Sequence, residues 1–257
     1  MVPPSISFSG SGFMATYQLG VAQSLLTYAP WMLSTAPCVL GASAGSLVAA
    51  AVVFNIRDEM LYFAKQMKAF ALGPFNPSIN VFHWLEHILH KHLPSDAHKL
   101  ANGRLYVSMT RLSDYKHIVM CEFTHKSFTK KPEQYYVDGG FSSMQPVAHA
   151  QAAPYGGTLT VSPFSGEMDI CPSDTPCTWD MVVSGCTLKG NMANCIRIAN
   201  ALYPFALETL EQAYHNGYED ATHFLQNNGE LTGKPCVIGR LHTVRRPTWI
   251  ISPSTIL

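Results

Sequence analysis

Charge is scarce in this chain, and its placement is as informative as its amount. Only 13% of the 257 residues are Asp, Glu, Lys or Arg, while 47% are apolar; the charged share is about half of what soluble proteins usually carry. Net charge is zero and there is no basic stripe, so nothing here would recruit nucleic acid. From Met1 to Ile56 there is no charged residue at all, and Arg57 is the first. A secretory leader would need a positive n-region, which this stretch lacks, and Pro3, Pro4, Gly10 and Gly12 interrupt it. A membrane span over 39–56 is allowed by length, yet it would bury a glycine-rich turn in the bilayer. The third reading is the centre of a parallel α/β sheet, whose elements are covered on both faces and read as apolar throughout. It is the favoured one, because turn residues recur at βα spacing. Peripheral attachment to a lipid surface is compatible with it.

Paired cysteine spacing is missing too. Cys38, Cys121, Cys171, Cys177, Cys186, Cys195 and Cys236 are scattered, odd in number and without a CxxC pair. That argues against a disulfide framework or a zinc site and for reduced, mostly buried thiols in the cytosol. There is no internal repeat and no low-complexity segment. The length suits one large domain with a substantial core.

The elements follow from periodicity and punctuation. Ser5 to Phe8 alternates as a first strand, Gly10-Ser11-Gly12 breaks it, and Met14 to Leu26 has helical apolar spacing. Cys38 to Leu40 reads as a second strand and Ser46 to Ala51 as the helix behind it. Helices are expected over Met60–Leu72 and Val81–Leu93. Leu105–Met109 and His117–Cys121 read as strands joined by a turn at Leu112 to Lys116. Tyr135–Val137 ends at Asp138-Gly139-Gly140, Thr158–Val161 is a late strand, and Asn191–Tyr203 and Leu207–Leu225 are C-terminal helices. From Gly233 on there is no clear period.

Gly41-Ala42-Ser43-Ala44-Gly45 lies between the second strand and its helix. Strand, Gly-x-Ser-x-Gly, helix is the context of a nucleophile elbow, where a tight turn projects the serine hydroxyl and the helix points its positive end at the site. Taken alone, the pentapeptide is equally a Gly/Ala turn packed for close approach. A serine needs a base for its proton and donors for the oxyanion. Gly10-Ser11-Gly12, after a strand and before a helix, can form an anion-binding nest. A dinucleotide reading of it fails at Ala15 and lacks the acidic residue about twenty positions on. Asp138, at a strand end beside two glycines, is a candidate base; an ordinary Asp-Gly-Gly turn is the competing reading. His83, His87, His90 and His92 cluster, but with only Glu86 in support they read as a solvated helix face rather than a metal site.

Together these residues resemble the patatin-like phospholipase family, in particular its animal adiponutrin-type members. Ser5-Ile6-Ser7-Phe8-Ser9-Gly10-Ser11-Gly12-Phe13 with Tyr17 is similar to that family's oxyanion strand and loop. Leu93 to His98, Arg104 to Arg111 and Val137-Asp138-Gly139-Gly140 match its middle segments. Val161 to Gly166 with Asp169 to Pro172, and Leu202-Tyr203-Pro204 with Gly217 to Asp220, match its late ones. Phe141 with Met144-Gln145-Pro146 resembles the branch that transfers acyl groups to ω-hydroxyceramide.

The resemblance covers about Ser5 to Leu231; the remainder, 232–257, reads as an irregular tail. The fold it implies is a three-layer α/β/α sandwich with a mostly parallel sheet. It makes Ser43 the nucleophile and Asp138 its partner, a dyad without histidine. Gly10, Ser11 and Gly12 become the oxyanion loop, with Gly41, Gly45, Gly139 and Gly140 supporting the two turns. No metal or cofactor is implied. The implied partners are a lipid ester, a lipid-droplet or membrane surface bound peripherally from the cytoplasm, and a protein co-activator.

This chain departs from the family in two ways. Ala15 stands where the family has Gly or Ser, and only Thr124 to Gln134 remains where the family has a helix and a Pro-containing loop before the Asp strand. A crossover between parallel strands normally takes a dozen residues or more with a helix. The expectation is an internal deletion that exposes sheet nearby and keeps Asp138 from Ser43. Three functions follow: a serine acyl hydrolase cleaving neutral lipid esters such as triacylglycerol, or a transacylase using the same acyl-enzyme; a catalytically impaired lipid-surface or partner-binding form; and an α/β-hydrolase whose triad uses His149, His215, His223 or His242. The last is disfavoured, since only one strand precedes the elbow.

Overall fold

A computed structural model describes residues 4–55, 91, 93–123, 135–147, 157–175, 179–204 and 206–230. Strands β1 (Ser5–Phe8) and β2 (Val39–Ala42) are buried at every position, as expected for strands covered on both faces. They pair in parallel, Ile6 opposite Val39. β3 (Leu105–Arg111) continues the parallel ladder on the far side of β2, and β6 (Thr158–Val161) joins β1 in parallel at the other edge. β4 (His117–Met120) closes the sheet antiparallel to β3, giving the order β4-β3-β2-β1-β6. β5 (Tyr136–Asp138) lies off this path, also antiparallel to β3. The fold is therefore α/β with a mostly parallel central sheet flanked by helices.

Parallel neighbours need crossover helices. α1 (Ala15–Tyr28) joins β1 to β2, and α3 (Ala44–Val53) follows β2. Right-handed crossovers place both on one face, and there they touch. A short α2 (Pro30–Thr35) starts on its own proline, where the missing N–H costs nothing. α4 (Ala97–Ala101) precedes β3. α1 is buried on nearly all sides because α6 (Leu207–Asn227) packs along its outer face. The two come close through glycines: a Cβ on Gly20 would lie 2.0 Å from the Tyr214 carbonyl, and one on Gly217 2.0 Å from the Tyr17 carbonyl. α5 (Met192–Leu202) is capped by the Asn191 side chain, which accepts from the Asn194 amide at 2.8 Å. The core between sheet and helices is built from Ile6, Phe8, Val21, Leu25, Val39 and Val161, all fully buried; each such side chain contributes about 1.5–3 kcal/mol.

The reading of strands at 5–8, 38–40, 105–109, 117–121 and 158–161 and of helices at 14–26, 191–203 and 207–225 matches these elements. The structure adds α2 and the hairpin of β7 (Asp180–Val183) with β8 (Cys186–Lys189). The helix expected over 60–72, nearly all of that over 81–93, the segment 124–134 and the tail from 231 lie outside the described residues. Residues 39–53 form strand, turn and a ten-residue helix rather than a span, and no described helix is long and apolar enough to cross a membrane. Of the described cysteines, Cys38 and Cys186 are buried, and none forms a disulfide.

Candidate active site

Ser43 sits between β2 and α3 with φ 51° and ψ −129°. A side chain there is strained by about 1–3 kcal/mol, and such strain persists only where the surroundings fix it. They do so here by contact. A Cβ on Gly41 would fall 2.4 Å from the Gly45 carbonyl oxygen, and one on Gly45 2.3 Å from that of Ser9, so only hydrogens fit on either side of the turn. The Ser43 carbonyl accepts from the Ser46 amide at 2.9 Å and from the Ser46 hydroxyl at 2.6 Å. The first amides of α3 have no acceptor within the helix and present partial positive charge beside the serine.

β3 aligns the second component. It pairs in parallel with β2 as far as Ala42 opposite Ser108, and its next residue, Met109, pairs antiparallel with Asp138 of β5. Ser43 and Asp138 thus follow one another along the same strand, where a parallel partner ends and an antiparallel one begins. Both line one cavity of about 390 Å³. The antiparallel pairing to β3 brings Asp138 to the wall of the cavity that Ser43 also lines. β4 and β5 pair with β3 along its two opposite edges.

Asp138 is fixed from both ends. Its Oδ1 accepts from the Gly140 amide at 2.8 Å, and its carbonyl accepts from the Thr110 hydroxyl at 2.9 Å. Thr110 also meets the Ser142 hydroxyl at 2.8 Å. Gly139 lies so close to β3 that a Cβ would be 2.2 Å from the Ser108 carbonyl oxygen. The Asp-Gly-Gly segment is therefore a short 3-10 turn seated on β3.

Gly10, Ser11 and Gly12 line the cavity opposite. The Gly10 amide donates to the Met144 carbonyl at 2.8 Å, which ties the loop to the segment after Asp138. Ser11 and Gly12 stand at the opening of the 3-10 turn Gly12–Met14, where first amides lack a partner within the turn. Gly12 has φ +50°, and a Cβ there would lie 2.1 Å from the Ala201 carbonyl oxygen. Gln18, fully buried on α1, orders the loop: its amide donates to the Ser9 carbonyl at 2.9 Å, and its Oε1 accepts from the Ser11 hydroxyl at 3.1 Å. Gln145 does the same one layer away, donating to the Ser7 carbonyl at 2.9 Å. Sequence reasoning gave Gln18 and Thr110 no role. The legible signal for Gln18 was a long polar side chain inside an otherwise apolar helix, which must find partners when buried.

Met144, Phe164, Val183, Leu188 and Ile198 make the rest of the wall apolar. Among the described residues no histidine lines the cavity. His215 and His223 lie on α6, while His149 and His242 are outside the described residues. The one described histidine near the Asp-bearing strands is His117, whose Nε2 meets the Ser108 hydroxyl at 2.9 Å. The cluster His83, His87, His90 and His92 lies outside the described residues, and no group among the described ones has metal-ligand grouping.

A serine on a strained strand-to-helix turn, a carboxylate and an amide-rich loop around one apolar cavity place the chain in a broad structural class, the α/β proteins with a sharp serine-bearing turn between strand and helix. Comparison with known proteins narrows it. The chain is 37% identical to the omega-hydroxyceramide transacylase of Homo sapiens over 249 residues, covering 87% of this chain and 46% of that protein. It is 34% identical to patatin-like phospholipase domain-containing protein 2 of Homo sapiens over 252 residues, 88% of this chain and 49% of that one. With 1-acylglycerol-3-phosphate O-acyltransferase Pnpla3 of Mus musculus it shares 29% identity, covering 89% and 60% respectively. No family model matches the chain. The chain belongs to the patatin-like phospholipase domain proteins and spans about half the length of the curated relatives it matches. A match running over 249 residues while using 87% of a 257-residue chain means that the relatives carry residues inside the match that this chain lacks.

Proposed function

We propose that the chain transfers acyl groups from neutral lipid esters such as triacylglycerol through a Ser43–Asp138 dyad. One observation carries the reading: the strained serine and the Asp-Gly-Gly carboxylate, adjacent along β3, line the same apolar cavity. The Ser43 hydroxyl attacks the ester carbonyl carbon as Asp138 takes its proton. The oxyanion faces the amides of Ser11 and Gly12 and the positive end of α3. Collapse breaks the bond to the leaving alcohol, which receives the proton from Asp138 and leaves an acyl-serine. Asp138 then deprotonates the second nucleophile, whose attack on the acyl carbon breaks the bond to Ser43, and Asp138 returns the proton to the Ser43 oxygen.

With water the second step completes a hydrolysis; with a lipid alcohol it is a transacylation. The names of the relatives include both a hydroxyceramide transacylase and an acylglycerol-phosphate acyltransferase, which favours measuring both outcomes. Purified protein given labelled triacylglycerol, with and without an ω-hydroxyceramide, is expected to release fatty acid or form the new ester. Ser43→Ala and Asp138→Asn should lower either product about a thousandfold. Undiminished product formation by Ser43→Ala would refute the reading. The residues missing relative to the family favour one further reading, an impaired form that binds lipid without turnover, and wild-type protein inert toward every acyl donor would support it.

A further inference from the structure

The cavity that holds Ser43 opens between side chains that a soluble surface normally hides. Phe141 is 77% exposed and Leu202 74%, and both line that cavity. Beyond Leu202 the apolar surface continues along α5, where Met192 is 74% and Ile196 52% exposed. At 100° per residue these two share a side of the helix adjoining the one from which Ile198 and Leu202 reach the cavity. The sole charged residue of α5, Arg197, is held in a two-bond pair with Asp174, each bond 2.7 Å. Apolar exposure gathered around one opening marks an interaction surface.

We propose that the outer side of α5, with Leu202 and Phe141, docks on the uncharged surface of a lipid aggregate and holds the cavity mouth against it. The proposal rests on the lipid-ester reading above. Two observations select this occupant. The face borders the cavity at Leu202 and Phe141, so an acyl chain leaving a lipid phase would reach Ser43 without crossing water, whereas a protein seated there would cap the entrance. Its one described cation is already neutralised by Asp174, so the face offers nothing to anionic headgroups and fits zwitterionic or neutral lipid.

Flotation with phosphatidylcholine vesicles and phosphatidylcholine-coated triolein droplets tests it. Wild-type protein is expected to float with both, and neither added phosphatidylserine nor an about tenfold rise in salt should change binding much. The double variant Met192→Glu/Ile196→Glu should float at least about tenfold less, because both charges would enter the apolar boundary. Met192→Leu/Ile196→Leu should restore flotation. Neither residue touches the cavity, so reaction of Ser43 with a soluble fluorophosphonate should be the same in all three proteins and also reports that they are folded. Flotation of the Glu variant equal to wild type would overturn the proposal, as would binding that requires phosphatidylserine and collapses with salt. Wild-type protein that reacts with the probe yet never floats would overturn the docking surface alone. Flotation as described without probe reaction would uphold the surface and strike the acyl-transfer reading instead.

Discussion

At Ser43 the backbone matters as much as the hydroxyl. The left-handed φ of 51° is imposed by Gly41 and Gly45, whose neighbours leave no room for a Cβ. Glycine adopts that conformation freely and alanine does not. Ser43→Gly should therefore be more stable than Ser43→Ala by about 1 kcal/mol in denaturant unfolding, although both lack a nucleophile. A second residue-scale test concerns Tyr17, fully buried on α1, whose hydroxyl donates to Asp220 of α6 at 2.6 Å. Burial raises the Asp220 carboxyl; the Tyr17 hydrogen bond and the nearby His223 and Arg197 oppose that, while Glu219 adds to it. Burial and Asp220 together push the Tyr17 hydroxyl far up, so it remains a donor. Tyr17→Phe should cost about 1–3 kcal/mol by leaving the carboxylate short of a partner. Asp220→Asn keeps an acceptor and removes the charge. A carboxyl raised in the folded state contributes stability that is full below its unfolded pKa and lost as pH rises through the folded one. Thermal unfolding should then favour Asp220→Asn over wild type more at neutral pH than at pH 4. A constant difference would show that the buried charge is not what the pair contributes.

At the scale of elements, the α1–α6 crossing and the β3 junction position the site. Gly20→Ala or Gly217→Ala would force the helices apart at backbone contact, since each new methyl meets a carbonyl at 2.0 Å. Each should cost roughly 1–3 kcal/mol in unfolding experiments, or more where the helices cannot shift. In the β3–β4 turn, Arg111 holds Asp114 through two bonds of 2.8 and 2.7 Å and lowers its carboxyl to about 2. A depressed carboxyl stabilises above its unfolded pKa and loses that contribution as pH falls through the folded value. Arg111→Gln should speed amide exchange in the turn at neutral pH and make little difference near pH 2.

The elements that were legible in the sequence are those whose signal is local. β1 and β2 are short apolar runs ended by glycine, α5 and α6 carry helical spacing, and the β3–β4 turn is marked by polar residues. The pentapeptide was legible because strand, small residues and helix adjoin in the chain. The β7–β8 hairpin was missed, although its two-residue Ser184-Gly185 turn, with φ of 45° and 81°, has the left-handed form that hairpins favour. The β5 pairing could not be read from local pattern at all. Three residues at a strand end carry no directional signal, and the family-based expectation of a parallel crossover hid the antiparallel contact with β3.

At the scale of the whole molecule, the described residues supply a strained serine turn, an Asp-Gly-Gly turn, a glycine-containing loop and an apolar cavity with exposed apolar side chains at its rim. Within the match the relatives carry residues that this chain does not have, and the chain spans about half of their length. The central claim is that Ser43 and Asp138 act as an assembled pair. Intact-mass measurement of the purified protein after exposure to a fluorophosphonate tests that most directly. The account predicts a single adduct on wild-type protein, no adduct on Ser43→Ala, and labelling slowed by at least about a hundredfold in Asp138→Asn. Folded wild-type protein that takes up no label, or an adduct that persists in Ser43→Ala, would contradict it.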